Sequence, residues 1–186
     1  ERGRPDIATA LRTTKGGTIE RLTVTMNDPL RRRLVWPQRM RITLGYADHQ
    51  KDLNVYANSR DTVVREASGL PKPLFILPNG AGLAYGLVLL DGESATYLLA
   101  NMSRIGDALT RGAAWVSLWD NVLEGRVSPG GFIDAAVRAL ADEGDEQNAQ
   151  RMLAYVSRAF WRYLPQEERL ARAPALEAAL RAGISR

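Results

Sequence analysis

The sequence predicts a segregated fold, with a small antiparallel β-sandwich over residues 1–90 followed by an α-helical, solenoid-like array of antiparallel helices over residues 91–186. Three observations point there. Up to Leu90, apolar side chains alternate with polar ones between glycine, proline and asparagine turn signals, the period of half-buried strands. From Asp91-Gly92 onward they recur every three or four positions, the period of helices. In the middle of the second part, a helix beginning near Leu109 is apolar on two adjacent faces, with Leu109, Ala113, Val116 and Leu123 on one and Trp115, Leu118 and Val122 on the next. Such a helix has to be covered on both faces, which makes it an inner helix of a layered array.

The β part reads in order as follows. Residues 1–17 hold little periodicity, and Pro5 to Leu11 offers a short edge strand. Thr18 to Met26 is a strand, with Leu22, Val24 and Met26 facing away from Thr23 and Thr25. Asn27-Asp28-Pro29 breaks it, and Arg31-Arg32-Arg33 forms a loop. The clearest strand follows Trp36, placing Met40, Ile42, Leu44 and Tyr46 inward and Arg39, Arg41 and Thr43 outward. Ala47 to Asp52 is a polar turn into a partner strand through Leu53, Val55 and Ala57, and Val63 marks a short further strand. Pro71, Pro73 and Pro78 confine pairing to Leu74–Leu77 at a sheet edge. Asn79-Gly80-Ala-Gly82 signals a hairpin, and Leu83 to Leu89 closes a set of six or seven antiparallel strands.

The helical part starts with a short helix from Glu93 to Met102. Asp107 supplies an N-cap to the central helix, and Gly125 ends it in a left-handed turn. Ser128-Pro129 caps and opens a helix reaching Leu140, with Phe132, Ile133, Ala136 and Val137 on its apolar side. Gly144 and Asp145 stop that helix and cap the next, which runs to Leu164 and carries Met152, Leu153, Val156, Phe160, Tyr163 and Leu164 on one side. Pro165 ends it and begins a further turn, and Ala175 to Arg181 is a separate last helical piece. Turns of two to four residues make successive helices antiparallel, and the array looks unfinished at its C-terminal end.

Composition narrows the function. Hydrophobic residues at 45% and charged residues at 25% are those of a folded globular chain rather than a disordered one. No apolar run approaches the roughly 18–20 residues of a membrane span, so no membrane partner is expected. Without cysteine there are no disulfides, thiolate metal sites or thiol nucleophile. Residues 1–90 hold 14 Lys/Arg against 8 Asp/Glu, a balance of +6, and residues 91–186 hold 11 against 13. The one basic cluster, Arg31–Arg33 with Arg39 and Arg41, reads as a solvated loop and an outer strand face rather than a phosphate-binding patch, so no nucleic-acid partner is expected.

The chemistry-bearing residues are few. His49 is the single histidine and sits in a turn, which excludes a His-Glu-x-x-His zinc motif and weakens any serine triad. The acidic cluster Asp142, Glu143, Asp145 and Glu146 spans a helix end and the next helix start, where capping accounts for it. Gly80, Gly82 and Gly86 lack the following helix and lysine of a phosphate loop. Trp115, Trp119, Phe160, Trp161 and Tyr163 have the spacing of packing between helices rather than of a ligand cage. The residues themselves assign no catalytic, cofactor-binding or metal position, and the substrate-binding residues stay open.

An ordered set of motifs nevertheless looks familiar. Asp107-Ala-Leu-Thr-Arg-Gly-Ala-Ala-Trp115-Val-Ser-Leu-Trp119-Asp120, then Asp145-Glu-Gln-Asn148 and Ala159-Phe-Trp161-Arg-Tyr163-Leu164, resemble the C-terminal helical region of bacterial zinc aminopeptidases of the aminopeptidase N type, a gluzincin metallopeptidase family. Leu77-Pro-Asn79-Gly80-Ala-Gly82-Leu-Ala-Tyr85-Gly86 resembles the end of the small β-sandwich that precedes that region, Trp36-Pro-Gln38-Arg39 a stretch inside it, and Arg2-Gly-Arg-Pro5 the stretch just after the catalytic domain. The resemblance implies a parent that removes N-terminal residues from peptides with metal-activated water. Zinc and every catalytic residue would then lie in a catalytic domain outside this chain. The sandwich would be a spacer, and the helices a wall over the active site. The implied partners are the parent's own catalytic domain and, through it, peptide substrates; among Arg104, Arg111, Arg151 and Arg158 the resemblance does not say which would face them. It implies a soluble bacterial protein, cytoplasmic, periplasmic or secreted. The alternative is a stand-alone protein-binding or scaffold module, motivated by an apolar last helix in need of cover.

Overall fold

The computed structural model describes residues 3–184. Seven strands precede five helices, in the order expected: β1 Asp6–Thr13, β2 Ile19–Asn27, β3 Gln38–Gly45, β4 Gln50–Ala57, β5 Asp61–Val63, β6 Phe75–Leu77, β7 Leu87–Leu89, then α1 Gly92–Asn101, α2 Ala108–Leu123, α3 Pro129–Leu140, α4 Glu146–Tyr163 and α5 Gln166–Ile184. The chain divides into two compact units, Glu1–Tyr97 and Leu98–Arg186.

In the first unit, β5-β2-β1-β7 form one sheet and β4-β3-β6 another. Ile7, Leu22, Val24 and Met26 of the first meet Met40, Ile42, Leu44, Leu53 and Val55 of the second in one core, as strict alternation in β2, β3 and β4 requires. The N-terminal turns of α1 belong to this unit: the Ile76 N–H donates to Ser94 Oγ (2.8 Å), and Tyr97 stacks on Phe75.

Five features of the sandwich differ from expectation. β1 is not an edge strand but lies between β2 and β7, paired with β2 along its whole length. Its outward residues Ala8 and Ala10 are small and apolar, which blurs the alternation that Ile7, Thr9 and Leu11 would otherwise show. The sheets are antiparallel except for β1 and β7, which pair in parallel. That follows from the third difference: Asn79–Gly82 is not a hairpin turn, because β6 and β7 lie in different sheets and the segment carries the chain across the sandwich. The expected strand from Leu83 shrinks to Leu87–Leu89. Finally, Thr43 faces away from the core yet is fully buried, with its hydroxyl donating to Asp52 Oδ1 at 2.6 Å under the backbone of Gly80.

In the second unit the caps are as expected. Asp107 accepts from the Thr110 N–H (2.8 Å), Ser128 from Gly131 (3.1 Å) and Asp145 from Asn148 (2.9 Å), while Gly125 takes φ 68° after α2. Helix α2 packs on α3 and α4, and α3 on α4 and α5. Asn148 meets Ala108 and Gly112, and Tyr155 stacks on Trp119. The steps 112 to 119 and 148 to 155 are equal, so α2 and α4 run side by side in the same direction, with α3 antiparallel between them.

Two helical expectations need correction. Helix α2 is covered on one apolar face, where Trp115 and Leu118 are fully buried, but Leu109 and Leu123 on the other face are 56% and 47% exposed. The side of α2 that is buried instead carries Thr110, Ser117 and Asn121, polar residues that bond locally, while Gly112, on the side of Trp115 and Trp119, admits Asn148 of α4. The C-terminal helical pieces are one helix, α5, running through Pro174. Proline there removes the bond to the Leu170 carbonyl, a loss of about 3 kcal/mol in a helix interior, yet Pro174 and Leu170 both lie on the exposed side of the helix.

Two outcomes follow from this packing. Pro174→Ala restores the missing helical bond and should slow amide exchange across α5, with a gain of up to ~3 kcal/mol in local opening energy by hydrogen-exchange mass spectrometry. Gly80→Val forces a side chain into Thr43 and should lower stability by roughly 2 kcal/mol in urea unfolding.

Candidate functional site

Two places bring together the residues singled out in the sequence. The first is the crossover between the sheets. Asn79 clasps Ala84 with both ends of its side-chain amide, Nδ2 donating to the Ala84 carbonyl (3.1 Å) and Oδ1 accepting from its N–H (2.9 Å). Gln38, at the start of β3, does the same to Tyr85, donating to the carbonyl at 3.0 Å and accepting from the N–H at 2.7 Å. The Tyr85 hydroxyl then donates to the Gly3 carbonyl (3.2 Å), and the Leu87 N–H donates to that of Pro5 (2.8 Å). Gly86 adopts φ 154° and lies against Ile7 and the Pro5 carbonyl, where any Cβ would collide. Three stretches far apart in sequence, beginning at Gly3, Trp36 and Leu77, thus interlock at one end of the sandwich. Arg2, quoted with them, lies outside the described residues.

The second place is the helical unit. Trp115 and Trp119 meet Phe132 of α3 at ring-centroid distances of 5.5 and 5.7 Å, and Trp119 stacks flat on Tyr155 of α4 at 4.9 Å. Tyr155 and Phe132 belong to this cluster although the spacing of the sequence singled out neither as an aromatic partner. Trp161 stands apart, 66% exposed, edge-on to Phe160 and covered on one face by the Arg169 guanidinium at 5.6 Å. Because α5 leaves α4 to pack on α3, an apolar groove of about 700 Å³ opens between α4 and α5, lined by Leu153, Val156, Phe160, Trp161, Leu170 and Leu176 among others.

The charged candidates are dispersed. Arg111 donates to both oxygens of Glu143 (3.0 and 2.7 Å) and to the carbonyls of Ile105 and Gly106, so it is engaged by its own unit. Glu143 is therefore an ion-pair partner and not a cap, unlike Asp145. Burial by itself would raise the Glu143 carboxyl, but the Arg111 hydrogen bonds, the Asp145 N–H and the guanidinium charge together hold it below the usual carboxylate range. Arg104, Arg151 and Arg158 are exposed. In the basic cluster, Arg32 closes on Asp28, whose carboxylate also accepts from the N–H groups of Leu30 and Arg32; the Arg32 hydrogen bonds outweigh desolvation and lower the Asp28 pKa. Arg31 and Arg33 are exposed and have left-handed φ of 57° and 61°. Arg41 pairs with Asp52 (3.3 Å) and donates to the Gly80 carbonyl, and Arg39 is exposed. His49 stacks on Tyr46 in the β3–β4 turn and bonds to Asp48 (2.7 Å). Among the described residues, no three His, Asp or Glu side chains converge as metal ligands, and no helix is long and apolar enough to cross a membrane.

Compared with known proteins, the sequence matches no protein-family model and no curated protein.

The ion pair makes a testable contribution to stability. Glu143 has a lowered folded pKa, so its contribution is fully present above the unfolded carboxyl value of about 4.3 and fades as pH falls through the folded value. Glu143→Gln should destabilise by roughly 2 kcal/mol at pH 7, less than for a wholly enclosed pair because the Arg111 side chain is 14% exposed. The difference between wild type and variant in urea unfolding should shrink on acidification below about pH 4.

Proposed function

We propose that this chain is a non-catalytic portion of a zinc aminopeptidase of the aminopeptidase N type, a spacer sandwich joined to a helical wall that borders the active site. The observation that carries this reading is the interlocked crossover. The motifs that carry the resemblance in the first unit are hydrogen-bonded to one another by Gln38 and Tyr85 rather than scattered over the surface. The order of the two units and the place of the Trp115–Trp119 motif in the helical core agree with it. The donor groups of the described residues do not fit a zinc ion, so metal-activated water would belong to a domain outside this chain, and no step of hydrolysis is assigned to residues here.

The reading is tested by sequencing the parent gene upstream and by assay. An upstream His-Glu-x-x-His followed by a further glutamate is expected, and its absence would defeat the family assignment. The purified chain incubated with zinc and aminoacyl anilides should show no turnover above zinc alone; robust hydrolysis would contradict a non-catalytic role. The second reading, a protein-binding scaffold, is favoured by the apolar groove between α4 and α5. A chain that is monomeric by light scattering, with an intact upstream peptidase frame, would leave it without support.

A further inference from the structure

The outer face of the four-stranded sheet carries an arrangement that its own packing does not explain. Arg12 of β1 and Arg21 of β2 are directly opposite in the register, next to an irregularity between Arg12 and Thr13 where Glu20 and Arg21 together oppose Arg12. Both arginines are exposed, and neither guanidinium has an ion-pair or side-chain hydrogen-bond partner among the described residues. Glu20, beside them, forms no ion pair among the described residues either. Like charges facing each other across an antiparallel pair, with Cα atoms about 5 Å apart, destabilise the sheet unless an anion lies between them. The two side chains border a shallow cavity of about 340 Å³ floored by Ala10, Thr23 and Thr25, with Asp61 at its far end. The Asp61 carboxylate accepts from the Thr25 hydroxyl at 2.9 Å.

We propose that this face docks an extended segment of a protein partner, with a carboxylate held between Arg12 and Arg21 and a basic group toward Asp61. Paired guanidinium forks match the two oxygens of a carboxylate, and the threonine hydroxyls beside them offer polar contacts to a peptide backbone. The floor has no large apolar side chain, so charge and hydrogen bonds select the occupant rather than apolar burial. From Arg21 to Thr25, the register partner of Asp61, is four residues of strand. That is about 13 Å, so acid and base on the partner are separated by about four extended residues. A nucleic acid, negative along its whole length, meets Asp61 at the far end and is disfavoured.

The test uses the whole chain, ¹⁵N-labelled, titrated with the synthetic peptides Glu-Thr-Ser-Thr-Lys and Lys-Thr-Ser-Thr-Glu, their Gln-for-Glu counterparts, and a short single-stranded oligonucleotide. Shifts confined to Arg12, Arg21, Thr23, Thr25 and Asp61 are expected with at least one acidic peptide, and at least tenfold weaker binding of its Gln counterpart. The double variant Arg12→Gln, Arg21→Gln should weaken binding at least tenfold, while Arg31→Gln, Arg33→Gln, which removes the same charge elsewhere, should leave it within twofold. Arg21→Gln alone should melt no lower than wild type, since it relieves a repulsion. Absence of shifts up to millimolar peptide, equal weakening by both double variants, equal binding of the Gln peptides, or tighter binding of the oligonucleotide at the same residues would each overturn the proposal.

Discussion

The position of Trp119 governs the helical unit. Its ring lies flat on Tyr155 and tilted against Phe132, so one side chain of α2 is wedged between α3 and α4 at the same level. Trp115, one turn earlier and fully buried, meets the same Phe132 edge-on. Close-packed aromatic rings from three helices leave no room for any of them to slide without opening a void. The other end of the α2–α4 contact needs the opposite device. There Asn148 approaches so closely that Gly112, an unfavourable residue inside a helix, is the one that fits, and its amide donates to the Ala108 carbonyl at 2.8 Å. A large residue at one end and none at the other fix the distance and tilt of α4 on α2. Arg111, beside Gly112, then reaches Glu143 in the α3–α4 connection, which ties that connection to the start of α2.

Much of this was legible because the signals were local. Caps at Asp107, Ser128 and Asp145 are short-range chemistry, and the alternation in β2, β3 and β4 is a direct record of which face is buried. What escaped depends on partners far along the chain. β1 is interior although its outward alanines show no polar contrast, because β7 returns beside it some eighty residues later. Asn79-Gly80 has the composition of a hairpin turn, yet Gln38 and Asn79 hold Ala84 and Tyr85 in an irregular crossover that period and turn chemistry do not encode. Thr43 is an outward residue by alternation and is buried because a glycine backbone from the crossover lies on it. Helix α2 misleads in the other direction: its apolar stripe at Leu109 and Leu123 suggests cover, whereas the cover falls on the side with Thr110, Ser117 and Asn121.

The candidate sites divide along the same line. Residue types alone point away from a metal centre or nucleophile, and the arginine run reads as a solvated loop. In the structure Arg32 stabilises that loop through Asp28, which leaves Arg31 and Arg33 in left-handed backbone conformations that β-branched residues would not tolerate. The facing of Arg12 and Arg21 does not show in the alternation of either strand, since it depends on a register set by the pairing irregularity just beside them, between Arg12 and Thr13. Charge clusters in sequence and charge clusters in space are different things here: the first is partly neutralised by its own carboxylates, and the second is not.

Stability within the helical unit therefore runs downhill along the chain. Helices α2, α3 and α4 share an aromatic core, and each end of their contacts is closed by a cap, a glycine or an ion pair. Helix α5 contributes no ring to that core. It is held to α3 by Arg172, which donates to Asp134 at 3.0 and 3.3 Å, and it carries a proline within its own length. In a stacked helical array each layer is stabilised mainly by the interface with its neighbour, so a layer with one partial interface opens first. Leu170 and Trp161, 69% and 66% exposed on either side of the groove, are the side chains such a layer leaves in water. Covering them would stabilise α5 far more than α2, because the inner helices already have most of the burial available to them.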